Sequence, residues 1–201
     1  CDVKFRPDAE FFKKHGIEPQ PDSHTIAAEW RGEPGGDNYY SFFRGKLEAP
    51  GEAPYRDGDW CNVLGAIDFL REYDGEQPFC LFLPLGFPHP PYAVEEPFFS
   101  RIDRAALPPR IAEPQQGGPA ILDEIRKRQN LGSRSEERWS ELRAVYYGMC
   151  ARLDRQLELL VETLKERGFY DDSALFLFSD HGDFTGRSEE RRVGKECRSR
   201  W

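Results

Sequence analysis

Asp180 and His181 stand side by side in Ser179-Asp180-His181-Gly182-Asp183, directly after the apolar run Ala174–Phe178. Where an extended segment ends and the chain turns, adjacent carboxylate and imidazole groups can reach one cation. Carboxylate oxygens suit hard divalent ions, and imidazole widens the choice. Gly182 permits close backbone approach at that turn. The same residues are also compatible with a hydrogen-bonded loop pair. A second histidine, His89, lies in Pro88-His89-Pro90-Pro91-Tyr92, after the apolar run Phe79–Phe87. Three prolines fix the backbone and remove donors, so that loop is stiff. Alone, His89 is equally compatible with a structural role. The five cysteines (Cys1, Cys61, Cys80, Cys150, Cys197) form no C-x-x-C pair and no dense framework. This spacing points to single buried thiols rather than a disulfide scaffold or structural zinc site.

The elements that must hold these groups are legible from periodicity. Residues 60–73 read as a helix with Val63, Leu64, Ile67 and Leu70 on one stripe, Asp59 as N-cap and Asp74-Gly75 as the stop. The unbroken apolar runs 79–87 and 174–178 read as strands buried on both faces of a parallel sheet, the first ending near Pro84. His89 is then expected at the carboxyl end of a strand, where open α/β sheets bind ligands. Leu142, Val145, Met149, Leu153, Leu157, Leu160 and Leu164 step by three or four residues, predicting a long helix. Ser133 with Glu136 has capping-box spacing, Ser135 is the alternative cap, and Arg167-Gly168 is the stop. A further helix is expected over 119–130. Weaker signals place strands at 24–28 and 39–43, with a turn at 35–38. Helices alternating with apolar strands indicate α/β with a parallel or mixed sheet.

Composition excludes several classes. A chain with 38% hydrophobic and 13% aromatic residues is too apolar for disorder. The formal charge of -8 argues against a nucleic-acid partner, which favours a basic excess. No run approaches the roughly 20 apolar residues of a membrane span. No leader pattern opens the chain, which starts at Cys1 without Met. Residues 187–201 carry six basic and three acidic residues and break the hydrophobic pattern. Their start, Arg-Ser-Glu-Glu-Arg-Arg, back-translates to a common sequencing adapter. The reading is a non-native tail on residues 1–186, with the native polypeptide truncated at both ends.

The order apolar run, Pro-His-Pro-Pro-Tyr, long helix carrying Leu153-Asp154, Gly168, apolar run and Ser-Asp-His-Gly-Asp resembles the formylglycine-dependent sulfatase family of the alkaline-phosphatase-like superfamily. The resemblance covers roughly residues 20–186 and is strongest over 78–92 and 140–186. It implies a partial α/β sulfatase domain with a mixed, mostly parallel sheet flanked by helices. It also implies a metal-dependent sulfuric ester hydrolase acting on a small sulfate ester or sulfated glycan. By resemblance, Asp180 and His181 match metal ligands, for Ca²⁺ or alternatively Mg²⁺. His89 matches the histidine that contacts the sulfate group and assists leaving-group departure. Asp154 reads as structural, and Asp183 receives no role.

The departures concern the nucleophile. The family's formylglycine arises from Cys in C-x-P-S-R or Ser in related forms, and no cysteine here is followed by x-P-S-R. The early aspartates that complete the metal site and the lysine after the Asp-His-Gly segment are also unmatched. The formylglycine is therefore expected upstream of Cys1, and the chain alone is expected to be inactive and prone to partial order or aggregation. A phosphonate or phosphate ester hydrolase of the same superfamily, or a non-catalytic binding member, are the alternatives.

Overall fold

The computed structural model describes residues 5–18, 33, 36, 42–49, 54–75, 77–109, 120–128, 134–183 and 185. The expected strand at 24–28, the turn at 35–38 and the tail 187–201 lie outside the described residues, apart from Gly36. The elements run α1 (Ala9–His15), β1 (Phe43–Leu47), α2 (Gly58–Glu72), β2 (Tyr92–Glu95), α3 (Phe98–Arg101), a 3₁₀ turn (Arg104–Ala106), α4 (Ala120–Arg128) and α5 (Glu136–Glu166). The two strands pair in parallel, with Phe43 opposite Tyr92 and Leu47 opposite Glu95. Parallel neighbours need a long crossover, and α2 lies within this one.

Both long helices start and stop for identifiable reasons. In α5, Ser135 accepts a hydrogen bond from the Arg138 N–H, and Gly168 adopts φ 71° just beyond the end. Of the two serines considered, Ser135 is the cap. In α2 the cap is Asp57, whose carboxylate accepts from the Trp60 N–H. Asp59, the expected cap, lies inside the first turn and its carboxylate bonds elsewhere. The apolar stripes then meet. Val63, Ala66, Ile67 and Leu70 of α2 pack on Leu160 and Leu164 of α5. Leu142, Val145 and Met149 of α5 pack on Phe43, Trp60, Tyr92, Val94 and Phe98. Gly148 lets β2 and α3 approach α5 closely. A Cβ there would lie 2.8 Å from the Phe98 carbonyl oxygen and 3.0 Å from Val94 Cγ1.

Three expected strands change. The strand expected over 39–43 is realised at Phe43–Leu47, with residues 39–41 outside the described residues. Residues 79–87 and 174–178 are extended but join no ladder among the described residues. A doubly buried strand requires a hydrogen-bonded neighbour and cover on both faces, and here each run lacks part of that environment. Leu83 and Leu85 contact the α2–α5 core and Phe79 stacks on Phe69 and Tyr73, while Phe82 is 76% exposed. Along 175–178, Phe176 and Phe178 are 85% and 77% exposed. His89 accordingly sits in the turn leading into β2, not at the carboxyl end of a sheet strand.

Candidate active-site loops

The turn that carries His89 is built by hydrogen bonds from two directions. The His89 N–H donates to the Gly86 carbonyl at 2.8 Å. Upstream, the Gly86 N–H lies 2.9 and 3.0 Å from the two Asp59 carboxylate oxygens, and the Phe87 N–H donates to Asp59 Oδ2 at 2.9 Å. Two successive backbone donors converging on one carboxylate form an anion-binding concavity, filled here by the protein's own side chain. The exposed His89 ring places Nδ1 2.6 Å from the Pro90 carbonyl oxygen. A carbonyl oxygen only accepts, so Nδ1 carries the proton and the Nε2 lone pair is left outside this bond.

The second loop is similarly self-braced. The His181 N–H donates to Asp180 Oδ1 at 3.0 Å, and His181 Nδ1 lies 3.1 Å from the Gly182 carbonyl oxygen. The Ser179 hydroxyl donates to the His181 carbonyl oxygen. His181 Nε2 therefore bears a lone pair, and it lies 3.7 Å from Asp180 Oδ2. That separation suits two donors each about 2.0–2.6 Å from one ion. The residue types thus fit two adjacent positions of a divalent-cation site. Among the described residues no group of three or more His, Cys, Asp or Glu side chains is arranged to hold a metal ion.

His89 and the Asp180–His181 pair come from separate loops, and one side chain on α5 faces both segments. The Tyr146 ring packs edge-on against Tyr92, at the start of β2, with centroids 6.1 Å apart. Burial pushes the Tyr146 phenol up to about 12, reinforced by the nearby Cys150 and Asp183 charges and opposed by a hydrogen bond from the Asp183 backbone. Asp154 is exposed on the same helix.

Beneath the His89 turn lies a buried polar cluster that periodicity did not reveal. Arg152 is fully buried. Its guanidinium pairs with Asp57, lies 3.4 Å from Glu95 Oε1, and stacks 3.8 Å from the Phe87 ring centroid. The Trp60 indole N–H donates to Glu95 Oε1 at 2.9 Å. Burial pushes the Glu95 carboxyl up, partly offset by Arg152 and by the Trp60 hydrogen bond. Arg152 and Gln156 continue the inward face of α5 between Met149 and Leu160. Their 3.6-residue phase is the available signal, although the apolar stripe reads through Leu153 and Leu157, which are only half-buried. The expected buried thiols are also partly revised: Cys61 is buried, Cys150 half-buried and Cys80 exposed, all three free.

A parallel strand pair with helices packed on it, and loops offering carboxylate and imidazole groups, define an α/β protein. The sulfatase family model matches residues 5–196, and the chain belongs to that family. It is 29% identical over 137 residues to an arylsulfatase of Clostridium perfringens, covering 66% of this chain and 28% of that protein. It is 30% identical over 129 residues to a choline-sulfatase of Rhizobium meliloti, covering 58% and 24%. A multifunctional alkaline phosphatase superfamily protein of Trinickia caryophylli is 27% identical over 136 residues, covering 60% and 26%. The chain thus spans about a quarter of the length of these relatives. Among the described residues no helix is long and apolar enough to cross a membrane.

Proposed function

We propose that this chain supplies part of the catalytic domain of a sulfuric ester hydrolase acting on small sulfate esters or sulfated glycans. The observation that carries the proposal is the sulfatase-family match over residues 5–196. Residues 1–186 are the enzyme portion and 187–201 a non-native tail, with the family match running into that tail as far as residue 196. Asp180 and His181 would hold a divalent metal as two of its ligands, Ca²⁺ before Mg²⁺. When bound, that ion supplies Lewis-acid stabilisation of the sulfate oxygens. His89 contacts the sulfate group and, as the imidazolium, passes its Nε2 proton to the departing oxygen while Nδ1–H stays on the Pro90 carbonyl. The Pro90 contact on Nδ1 fixes which nitrogen is presented. The attacking oxygen comes from a formylglycine outside residues 1–201, because no Cys-x-Pro-Ser-Arg is present.

Sequencing the source DNA across both ends of residues 1–186 tests this reading. A C-x-P-S-R or S-x-P-x-R segment upstream, and native coding sequence in place of Arg187 onward, is the expected result. Start and stop codons at the present ends with no nucleophile segment would overturn it in favour of a non-catalytic chain. The purified 201-residue chain is expected to show no turnover of 4-nitrophenyl sulfate with Ca²⁺ added. Robust metal-dependent turnover would contradict a nucleophile outside the chain. A parent enzyme preferring 4-nitrophenyl phosphate would place it with the phosphate ester hydrolases of the superfamily.

A further inference from the structure

Asp59 sits in the first turn of α2, yet it does not cap that helix. Asp57 does so, leaving the Asp59 carboxylate free to face the segment before His89. Both its oxygens are engaged there, on two consecutive backbone N–H groups at 2.9–3.0 Å. Bonds to an ionised acceptor are shorter and about twice as strong as neutral ones. The neighbouring Phe87 ring also packs on the Arg152 guanidinium, 3.8 Å from the ring centroid. From Gly86 the constraint passes along one bond, the His89 N–H to Gly86 carbonyl contact, and from there to the imidazole. Among the described residues the imidazole bonds through Nδ1 to the Pro90 carbonyl, a contact that depends on the shape of the turn.

We infer that Asp59 is a positioning residue for His89: its carboxylate clamps the Gly86 and Phe87 amides, fixes the turn, and thereby holds the His89 imidazole as the Nδ1–H tautomer with Nε2 presented outward. The tautomer and clamp stand on the geometry alone, and their use in sulfate-ester cleavage rests on the function proposed above. Asp59 touches no substrate in this account. Its effect is to keep the nitrogen that meets the leaving oxygen from exchanging with the one bonded to Pro90.

The test uses the full 201-residue chain with ¹⁵N-labelled histidine and uniform ¹⁵N labelling, comparing wild type, Asp59→Ala and Asp59→Asn. Helix content by circular dichroism and Trp fluorescence check that each variant folds. In wild type the His89 ring nitrogens should report the Nδ1–H tautomer, and the Gly86 and Phe87 amides should be protected. In Asp59→Ala those two amides should exchange about tenfold faster or more, the scale of losing a charge-assisted hydrogen bond. The His89 tautomer should become mixed. Asp59→Asn retains one carbonyl acceptor and should fall between the two. An Nε2–H tautomer in wild type, or an unchanged tautomer and unchanged amide exchange in a folded Asp59→Ala, overturns the inference. Titration with inorganic sulfate separates the two claims. A wild-type His89 ring that ignores sulfate while the clamp behaves as expected counts against the substrate role of His89 and leaves the positioning role standing.

Discussion

Arg152→Met isolates a buried ion-pair cluster in the fold. The Arg152 side chain is fully buried and serves two carboxylates, Asp57 and Glu95. Asp57 keeps 19% side-chain exposure and can resolvate once its partner is gone, whereas Glu95 keeps 6% and cannot. Methionine preserves much of the stem volume, so the packing loss is small and the uncompensated Glu95 charge dominates. Removing one member of a buried pair costs about 3–5 kcal/mol. Urea unfolding followed by Trp fluorescence reads this directly, because Trp60 and Trp139 lie in the core. The pH dependence has a definite sign. Burial already raises the Glu95 carboxyl, with Arg152 among the groups opposing it. Without Arg152 the rise is larger, so the native state binds a proton that the unfolded state releases. Stability then falls as pH rises from the ordinary carboxylate value through the raised one. The deficit of the variant should therefore be greatest above that window and shrink toward acid. Adding Glu95→Leu should recover most of the loss. A deficit below about 1 kcal/mol, the scale of an exposed pair, and independent of pH would refute the reasoning.

Three further outcomes follow from single contacts. Gly148→Ala forces a Cβ against the Phe98 carbonyl oxygen and Val94, and should cost about 1–3 kcal/mol by the same unfolding assay. Burial pushes the Asp68 carboxyl up, but hydrogen bonds from His15 and Lys14 outweigh it and hold the group below its ordinary range. That stabilisation is present above an ordinary carboxyl pKa of about 3.9 and lost as pH falls through the lowered value, so Asp68→Asn should flatten the acid limb of the stability curve. Phe176→Lys with Phe178→Lys should raise the monomer fraction in sedimentation velocity, because the exposed run 175–178 is an uncharged extended segment that joins no ladder among the described residues, the kind that templates association. Unchanged self-association would show that this run is not the sticky surface.

The parts of the fold legible in the sequence were those governed by local periodicity. The α2 and α5 stripes, the Gly168 stop and a helix near 119–130 follow from spacing and caps, and each is present. What spacing could not supply was pairing. An apolar run announces a buried strand only through its neighbours, and residues 79–87 and 174–178 lack a ladder among the described residues. β2 carries little local signal because Tyr92–Glu95 is short and ends in a glutamate whose burial depends on the distant Arg152 and Trp60. Of the candidate site, Asp180, His181 and His89 were visible by residue type and loop context. Asp59 was visible but given the wrong task. A carboxylate near a helix start can cap its own helix or reach across to another segment, and only the backbone amides of Gly86 and Phe87 decide between them. Tyr146, Arg152 and Glu95 carry no local motif at all, since their roles arise from contacts across the chain.

The central claim is that the His89 turn and the Asp180–His181 loop serve one site. Mn²⁺, a paramagnetic stand-in for the divalent metal, tests it by broadening the ring resonances of nearby histidines in the labelled 201-residue chain. The account predicts that His181 and His89 broaden together at low Mn²⁺, that His15, engaged with Asp68, stays sharp, and that Asp180→Ala abolishes both effects. Broadening of His181 with His89 untouched, or broadening that persists in Asp180→Ala, would contradict it.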